Sequence, residues 1–424
     1  MSKPTILVSA PVTTRSGYGA RSRDVVRALI KLGKYDVHVN PVPWGNTPQN
    51  ALALDDPNDK MIVDRFLNKQ MNPDVHIHIV VPNEFANIGK YNIGMTAGLE
   101  TTAIPQEWIP GINRMNLVLA SSKFGAEVMK QTAFTNNDTK EVIKATTPIK
   151  TLFEGADTNL YKTTNQCSKV LAKSMEDVKE NWNFLFVGHW LQGPLHHDRK
   201  DVGGLVKTFL ETFKASQGVG LILKTGGASL SAVDTEDILV KIKQIQSSVK
   251  NDDMPNVYFL GADLFDSEVN DLYNHPKVKA HITFTHGEGY GRPLLEATLS
   301  EKPVIAPNWS GHTDFLSPKH TVLLPGGMIP VHKDSLPQNL HIEGQSWFGV
   351  DYKAAARVMR DMKVNYRKYK LKARKQAKIN RVKFSLDAMT RTLGIILDNN
   401  LPEFTQTVDA VSYTHLTLPT TPYV

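Results

Sequence analysis

Short apolar runs alternate with helical periodicities along nearly the whole chain. Thr5 to Ser9 (TILVS) is a continuous apolar run bounded by Pro4 and Pro11, which predicts a first strand. After the loop PVTTRSGYGARSR, Val25, Val26, Leu29, Ile30 and Leu32 recur at helical spacing, and Gly33 supplies a stop. Val37 to Val39, Val75 to Val81, Ile93 to Thr96 and Leu117 to Ala120 read as further strands. Helices start at Pro105 and at Ser122, a good N-cap. The pattern begins again at Asn183 to Val187 (NFLFV), with a helix after Lys200, strands at Val219 to Lys224 and Asn256 to Gly261, and a helix from Ser267 to Asn274. His320 to Pro325 reads as a last short strand, Gly326 to Trp347 as loop, and Tyr352 to Asn399 as helix broken near Ser385. Strands separated by helices predict doubly wound parallel sheets. Two such halves in 424 residues predict two α/β domains, at 1–165 and 181–385, joined by the polar segment 163–180.

The stretch from Val278 to Thr313 carries the candidate chemistry. The apolar run Ala280 to Phe284 stops at His286-Gly287-Glu288-Gly289-Tyr290-Gly291, a helix pattern follows through Leu294, Leu295, Ala297 and Leu299, and Pro303 to Ala306 is a second apolar run. Such a loop lies at the carboxyl end of its strand, where open α/β sheets bind ligands. Gly289 and Gly291 let backbone N–H groups approach an anion, and the helix start adds its unpaired donors. Glu296 lies about 7.5 Å beyond Gly291 along the helix axis, at about 1.5 Å per residue. That spacing suits a ligand with phosphates at one end and hydroxyls at the other, such as a nucleotide diphosphate, with Glu288 meeting whatever is attached beyond the phosphates. Taken alone, two glutamates eight apart read first as an ordinary feature, with Glu296 on the surface of an amphipathic helix. The turn Ser16-Gly17-Tyr18-Gly19 also follows a strand, and Arg15, Arg21 and Arg23 favour an anion there. It lacks G-x-G-x-x-G, and no acidic residue follows strand two, so it does not read as a dinucleotide fingerprint.

Composition narrows the picture. Apolar content of 41% and charged content of 21% fit a soluble globular protein. No apolar run reaches the length of a spanning helix, and MSKPTILVSAP reads as a strand rather than a secretion signal. Cys167 is the only cysteine, which excludes an internal disulfide or a cysteine zinc cluster and fits a cytoplasmic setting. His76 and His78 share one strand face with no further ligand at useful spacing, so they read as packed histidines. The formal net charge is +7, concentrated between Arg357 and Lys383, where twelve Lys or Arg accompany one Asp. A solvated helix face is the common reading of such a run, and weak contact with an anionic membrane or another polyanion the sharper one. No nucleic acid partner is expected. There is no G-x-x-x-x-G-K-[ST], which disfavours nucleotide hydrolysis.

The string EGYGRPLLEA…KPVIAPNWSG resembles the E-x7-E signature of GT-B glycosyltransferases, in particular the retaining family 4. The resemblance spans most of residues 5 to 400 and is strongest from 278 to 316. It implies a GT-B fold: two Rossmann-like domains facing across a cleft, the nucleotide on the second, and the last helix, 386–411, returning to the first. In that family the first glutamate faces the donor sugar and the second binds the ribose hydroxyls, positions matched by Glu288 and Glu296. Tyr290 falls with Gly289 and Gly291 in the donor loop, and Gly17 and Gly19 resemble the turn that reaches across the cleft. Family members hold the diphosphate with "GR…KG". Lys200 matches the lysine, His189 stands where the arginine would, and Arg199 is its candidate substitute. Where many members carry an acceptor-side histidine, this chain offers Glu100. The loop after the "YFLG" strand frames the base in relatives, which makes Gly261 to Asp263 candidates. The implied activity is metal-independent transfer of a hexose from a nucleotide diphosphate sugar, as co-substrate and with no further cofactor, to a hydroxyl on a glycan, lipid or protein, with retention. Other readings are a nucleotide-sugar epimerase of the same fold, using Glu100 and His286, or a non-catalytic polyanion-binding protein using 357–383. Ser412 to Val424 resembles translated adapter read-through and is left out of the fold expectation.

Overall fold

The computed structural model describes residues 3–136, 138–226, 232–262 and 264–404; Asp263, the segment 227–231 and everything from 405 onwards, including the 412–424 tail, lie outside them. The first half runs β1 (Thr5–Ala10), α1 (Gly17–Leu32), β2 (Asp36–Pro41), α2 (Pro57–Val63), β3 (Val75–Ile79), β4 (Tyr91–Thr96), α3 (Trp108–Asn113), β5 (Leu117–Ala120), α4 (Lys123–Gln131), β6 (Ala133–Thr135), β7 (Val142–Lys144) and β8 (Ile149–Thr151). After α5 (Lys169–Ser174) come β9 (Asn183–Val187), α6 (Val202–Thr212), β10 (Gly220–Lys224), α7 (Ala232–Ser248), β11 (Val257–Leu260), α8 (Asp266–Asn274), β12 (Val278–Ile282), α9 (Arg292–Leu299), β13 (Val304–Pro307) and β14 (Val322–Leu324). The chain closes with β15 (Gly326–Pro330), β16 (Ser346–Val350), α10 (Tyr352–Val364), α11 (Tyr366–Lys383) and α12 (Leu386–Asn400).

Both main sheets are six-stranded and parallel, ordered β2-β1-β3-β4-β5-β8 and β11-β10-β9-β12-β13-β14. Their central strands, such as β1, β3, β9 and β12, are largely buried on both faces, which is why they read as continuous apolar runs. The period of two still sorts the side chains in the second sheet. Phe184 and Phe186 pack with Leu205 and Phe209 of α6 and Met359 of α10, whereas Leu185 packs on the opposite face with Tyr273 of α8 and Leu295 of α9. The strand order reverses between β1 and β3 in the first sheet and between β9 and β12 in the second. Ligands of open α/β sheets bind outside the carboxyl ends of strands at such a reversal. The loops that meet at the second one are 188–201 and 283–291.

The chain crosses between the lobes twice, side by side. Ala156 pairs with Ser385 as a parallel bridge, with Ala156 N donating to Phe384 O at 3.0 Å and Leu386 N to Ala156 O at 2.8 Å. Beyond the second crossing, α12 lies on the first lobe, with Met389, Leu393 and Leu397 buried in the same core as Ile6, Val8 and Leu29.

Two elements differ from the expectation. Residues 326–347, read as loop, belong to an antiparallel hairpin completed by 348–350, in which Met328 faces Phe348 and Ile329 faces Trp347. Its apolar positions are too few to show alternation, and Trp347 is buried by His286, which stacks on it at 4.5 Å. The helical stretch after Tyr352 breaks at Asn365, the C-cap of α10 and N-cap of α11, as well as near Ser385. Among the described residues no helix is long and apolar enough to cross a membrane.

Candidate functional site

A cavity of about 1370 Å³ lies between the lobes and takes in residues from both switch points. Its second-lobe wall is built by two loop-to-helix turns. In the first, Asp201 adopts φ 45° and caps α6, its Oδ1 accepting from Gly204 N at 3.1 Å, while Asp198 Oδ2 accepts from Val202 N at 3.0 Å. Lys200 sits between these two caps and is fixed by them. In the second turn, Gly291 at φ 96° caps α9, a left-handed backbone that glycine adopts without strain. Pro293 follows in the first turn of α9, where a missing N–H costs nothing.

These turns bring the four candidate catalytic side chains together as two ion pairs. Lys200 Nζ donates to Glu288 Oε1, and Arg199 Nη1 donates to Glu100 Oε1 at 3.1 Å and to Gly287 O at 3.4 Å. Burial works against charge on Glu288, but the Lys200 and Arg199 cations outweigh it and hold the carboxyl below its ordinary value. The Glu288 backbone is clamped by the next loop: its N–H donates to Ser310 Oγ at 2.9 Å, and its carbonyl accepts from Gly311 N at 2.9 Å. Ser310 does this at φ 74°, a strained conformation costing about 1–3 kcal/mol outside glycine.

Glu296 also lines the cavity, one turn into α9, and is only 7% exposed. Burial pushes its carboxyl up to about 7, opposed by Arg292, Tyr161 and Tyr273. Tyr273 hydroxyl lies 3.4 Å from Oε2, and Arg292 Nε lies 3.8 Å from Oε1. Arg292 reaches across the cleft: its Nη1 donates to Asp24 Oδ2 of α1 at 2.7 Å and lies 3.7 Å from Glu154 Oε2. Arg292, Asp24 and Glu154 were not among the residues singled out from the sequence. The signal was present for Arg292, which stands four residues before Glu296 and faces it on the helix.

The glycines divide by role. An added Cβ at Gly289 would stand 2.9 Å from the Ala97 carbonyl oxygen, and one at Gly287 would stand 2.7 Å from that of Glu100. Both therefore admit the backbone of the opposite lobe, a requirement the sequence alone did not separate from anion binding. Gly17 lines the cavity beside Ser16, which caps α1; Gly19 is buried and does not line it. Tyr290 lines it, 3% exposed, its ring 5.0 Å from that of Phe315 and its hydroxyl without a hydrogen-bond partner among the described residues. His189 and Lys224 line it as well. Of the arginines near Gly17, Arg21 donates to the carbonyls of Leu152 and Phe153, and Arg23 to those of Val12 and Thr14, so both guanidiniums brace backbone.

Further contacts hold the lobes together. Thr102 N donates to Ser346 O at 2.9 Å and Ser346 N to Thr102 Oγ1 at 3.0 Å, which ties the 326–350 hairpin to the segment after Glu100. Lys123 N donates to Asp314 Oδ2 at 2.8 Å, and Phe124 meets Trp309 edge-on at 4.6 Å. Among the described residues no cluster of three or more His, Cys, Asp or Glu is disposed to hold a metal ion.

No protein-family model matches the chain, and no curated protein matches it by sequence. Solved structures do match in shape. HepE from Anabaena, crystallised with UDP and glucose, superposes with a TM-score of 0.62 at 15% identity over 93% of this chain and 100% of that one. Sucrose-phosphate synthase from Thermosynechococcus elongatus gives 0.61 at 11% identity over 94% and 98%. A glycosyltransferase from Rickettsia africae gives 0.59 at 16% over 95% and 99%. At these identities the likeness establishes the fold, which is GT-B: two facing Rossmann-like domains.

Proposed function

We propose that this chain is a nucleotide-sugar glycosyltransferase that moves a hexose from a nucleotide diphosphate sugar to a hydroxyl acceptor, with retention and without a metal ion. The observation that carries the reading is the convergence of the Lys200–Glu288 pair and Glu296 on one cavity at the second-lobe switch point. HepE, whose fold this chain shares, binds UDP and glucose, and UDP-glucose.

The resting ion pairs suggest how the site works. A donor diphosphate beside Lys200 and Arg199 would compete with Glu288 and Glu100 for their cations. Released from Lys200, Glu288 accepts hydrogen bonds from the sugar hydroxyls and orients the anomeric carbon. Glu296 accepts from the ribose hydroxyls. The backbone of Gly289, Tyr290 and Gly291 at the α9 N-terminus, with Gly17 opposite, faces the phosphates. In the transfer the bond from the anomeric carbon to the phosphate oxygen breaks and the bond to the acceptor oxygen forms. The acceptor proton passes to a basic oxygen, with Glu100 and the departing diphosphate at hand. Negative charge then gathers on the diphosphate, where fixed cations in a desolvated cleft stabilise it most.

The test is purified protein with UDP- and GDP-hexoses. Thermal stabilisation by a nucleotide sugar, slow hydrolysis of that donor, and a product with the donor's anomeric configuration support the reading. Release of the free epimer, or no affinity for any nucleotide sugar, overturns it. We also propose that the solvent face of α11 makes weak contact with anionic membranes. Exposed Leu371 and Val382, at 49% and 70% exposure, are interleaved there with Lys368, Lys375 and Lys378.

A further inference from the structure

We infer that the acceptor is a carbohydrate and that Tyr18 and Trp44 form the platform on which it lies. This rests on the glycosyltransferase reading above and adds to it the class of acceptor and the place that holds it. The two rings are stacked, with centroids 4.1 Å apart and planes inclined by 23°, and both line the interlobe cavity while partly exposed. A pyranose presents a face of C–H groups, and these sit favourably on the outer, unstacked face of the Trp44 ring, which Tyr18 supports from behind.

The platform is anchored beside the groups that would carry the transfer. Tyr18 hydroxyl bonds to Thr96 Oγ1 at 2.9 Å and accepts from Ala97 N at 3.1 Å. Ala97 is the residue whose carbonyl approaches Gly289, next to Glu288, and three residues later Glu100 reaches Arg199. The ring is thus tied by one hydrogen bond to the Thr96 side chain and by another to the Ala97 backbone, against which the donor loop closes. Its place in the first lobe, opposite Lys200 and Glu296, leaves the second-lobe wall to the nucleotide.

The surroundings select among hydroxyl acceptors. Trp44 opens the loop W-G-N-T-P-Q-N, whose Asn46, Gln49 and Asn50 are exposed, and Asn50 lines the cavity. Asn50 accepts from Arg15 Nε at 3.2 Å and Gln49 from Thr13 Oγ1 at 3.3 Å, so the loop is braced across the turn that carries Tyr18. Neutral amides match vicinal hydroxyls in donors and acceptors without desolvating a charge. The cavity lining mixes Thr96, Glu100 and Asn50 with Ala51, Leu52 and Met61, and its polar side chains are the ones that can pair with sugar hydroxyls.

The experiment uses the full chain, UDP- and GDP-hexoses, and a panel of glucose, galactose, mannose and N-acetylglucosamine with their methyl glycosides and disaccharides. Transfer to at least one saccharide is expected. Trp44→Ala should raise the acceptor KM at least tenfold while the donor KM moves less than twofold, and Trp44→Phe, which keeps a ring, should recover most of the acceptor KM. Unfolding midpoints of both variants are recorded alongside. A purely structural Trp44 would lower the midpoint and leave the acceptor KM in place, and that result overturns the inference. Donor hydrolysis with no transfer to any saccharide overturns it too, while leaving the glycosyltransferase reading standing. No affinity for any nucleotide sugar removes both.

Discussion

Replacing Glu296 with Gln separates what the site costs the empty protein from what it does for a ligand. In the folded chain burial moves this carboxyl from an ordinary 4.5 to about 7. At about 1.4 kcal/mol per pH unit, that difference corresponds to about 3 kcal/mol between the protonated and ionised forms. Because the folded pKa is the higher one, the favourable contribution is complete below about 4.5. It is lost as pH rises to about 7, and the ionised, buried form persists above. Gln cannot ionise and fills the same space. The stability of Glu296→Gln relative to wild type should therefore rise between pH 5 and pH 8 by about 2–3 kcal/mol, the share of the linkage falling in that window. The ionic attraction to Arg292, 3.8 Å away, is already contained in the folded pKa. Urea denaturation of the ligand-free chains at both pH values measures it. Nucleotide binding should move the other way. Ribose hydroxyls donate, so they favour the carboxylate, and the variant should lose about 1–3 kcal/mol of nucleotide affinity at pH 8. By titration calorimetry, the wild type should gain affinity relative to the variant as pH rises towards 8. A variant no more stable than wild type at pH 8, with unchanged nucleotide affinity, would refute both the burial argument and the ribose role.

Other outcomes follow from the same geometry. Lys200→Ala leaves Glu288 buried beside Arg199 alone, so it should cost about 3–5 kcal/mol of stability by denaturant titration and at least a hundredfold in transfer rate; an active variant removes Lys200 from the leaving-group role. Gly289→Ala puts a methyl against the Ala97 carbonyl, so the lobes should part and small-angle scattering should show a larger radius of gyration than in wild type. Changing Lys368, Lys375 and Lys378 together to Glu should abolish sedimentation with phosphatidylserine vesicles and leave phosphatidylcholine controls unaffected. Equal sedimentation of both proteins would dismiss the membrane contact.

The parts of this molecule that a reader of the chain can see are those governed by local periodicity. β1, β9 and β12 are buried on both faces, so their apolar runs stand out, and the glycine loop between β12 and α9 marks the carboxyl edge where Glu288 and Glu296 lie. What stays hidden depends on partners far along the chain. Arg292 looks like any helix-start cation until Asp24, 268 residues away, takes its guanidinium. The β15–β16 hairpin holds its place through Trp347 under His286 and through Thr102, neither of which its own sequence announces. Gly289 shows the limit most plainly: a glycine in a phosphate-type loop reads as room for an anion, but the opposite lobe also occupies that room. Asn365 breaks a charged run by turning both its N–H and its side-chain amide back onto Asp361 at the end of α10, although nothing in the spacing around it changes.

The paired crossings at Ala156 and Ser385 restrict how the cleft can open. One strand between two bodies is a swivel, free to twist as well as bend. Two strands bonded edge to edge behave like the spine of a book, and torsion about their long axis would shear the hydrogen bonds on either side of Ala156. Opening is thereby reduced to a single angle, so every cycle should return Gly289 to Ala97 and Arg292 to Asp24 in the same register.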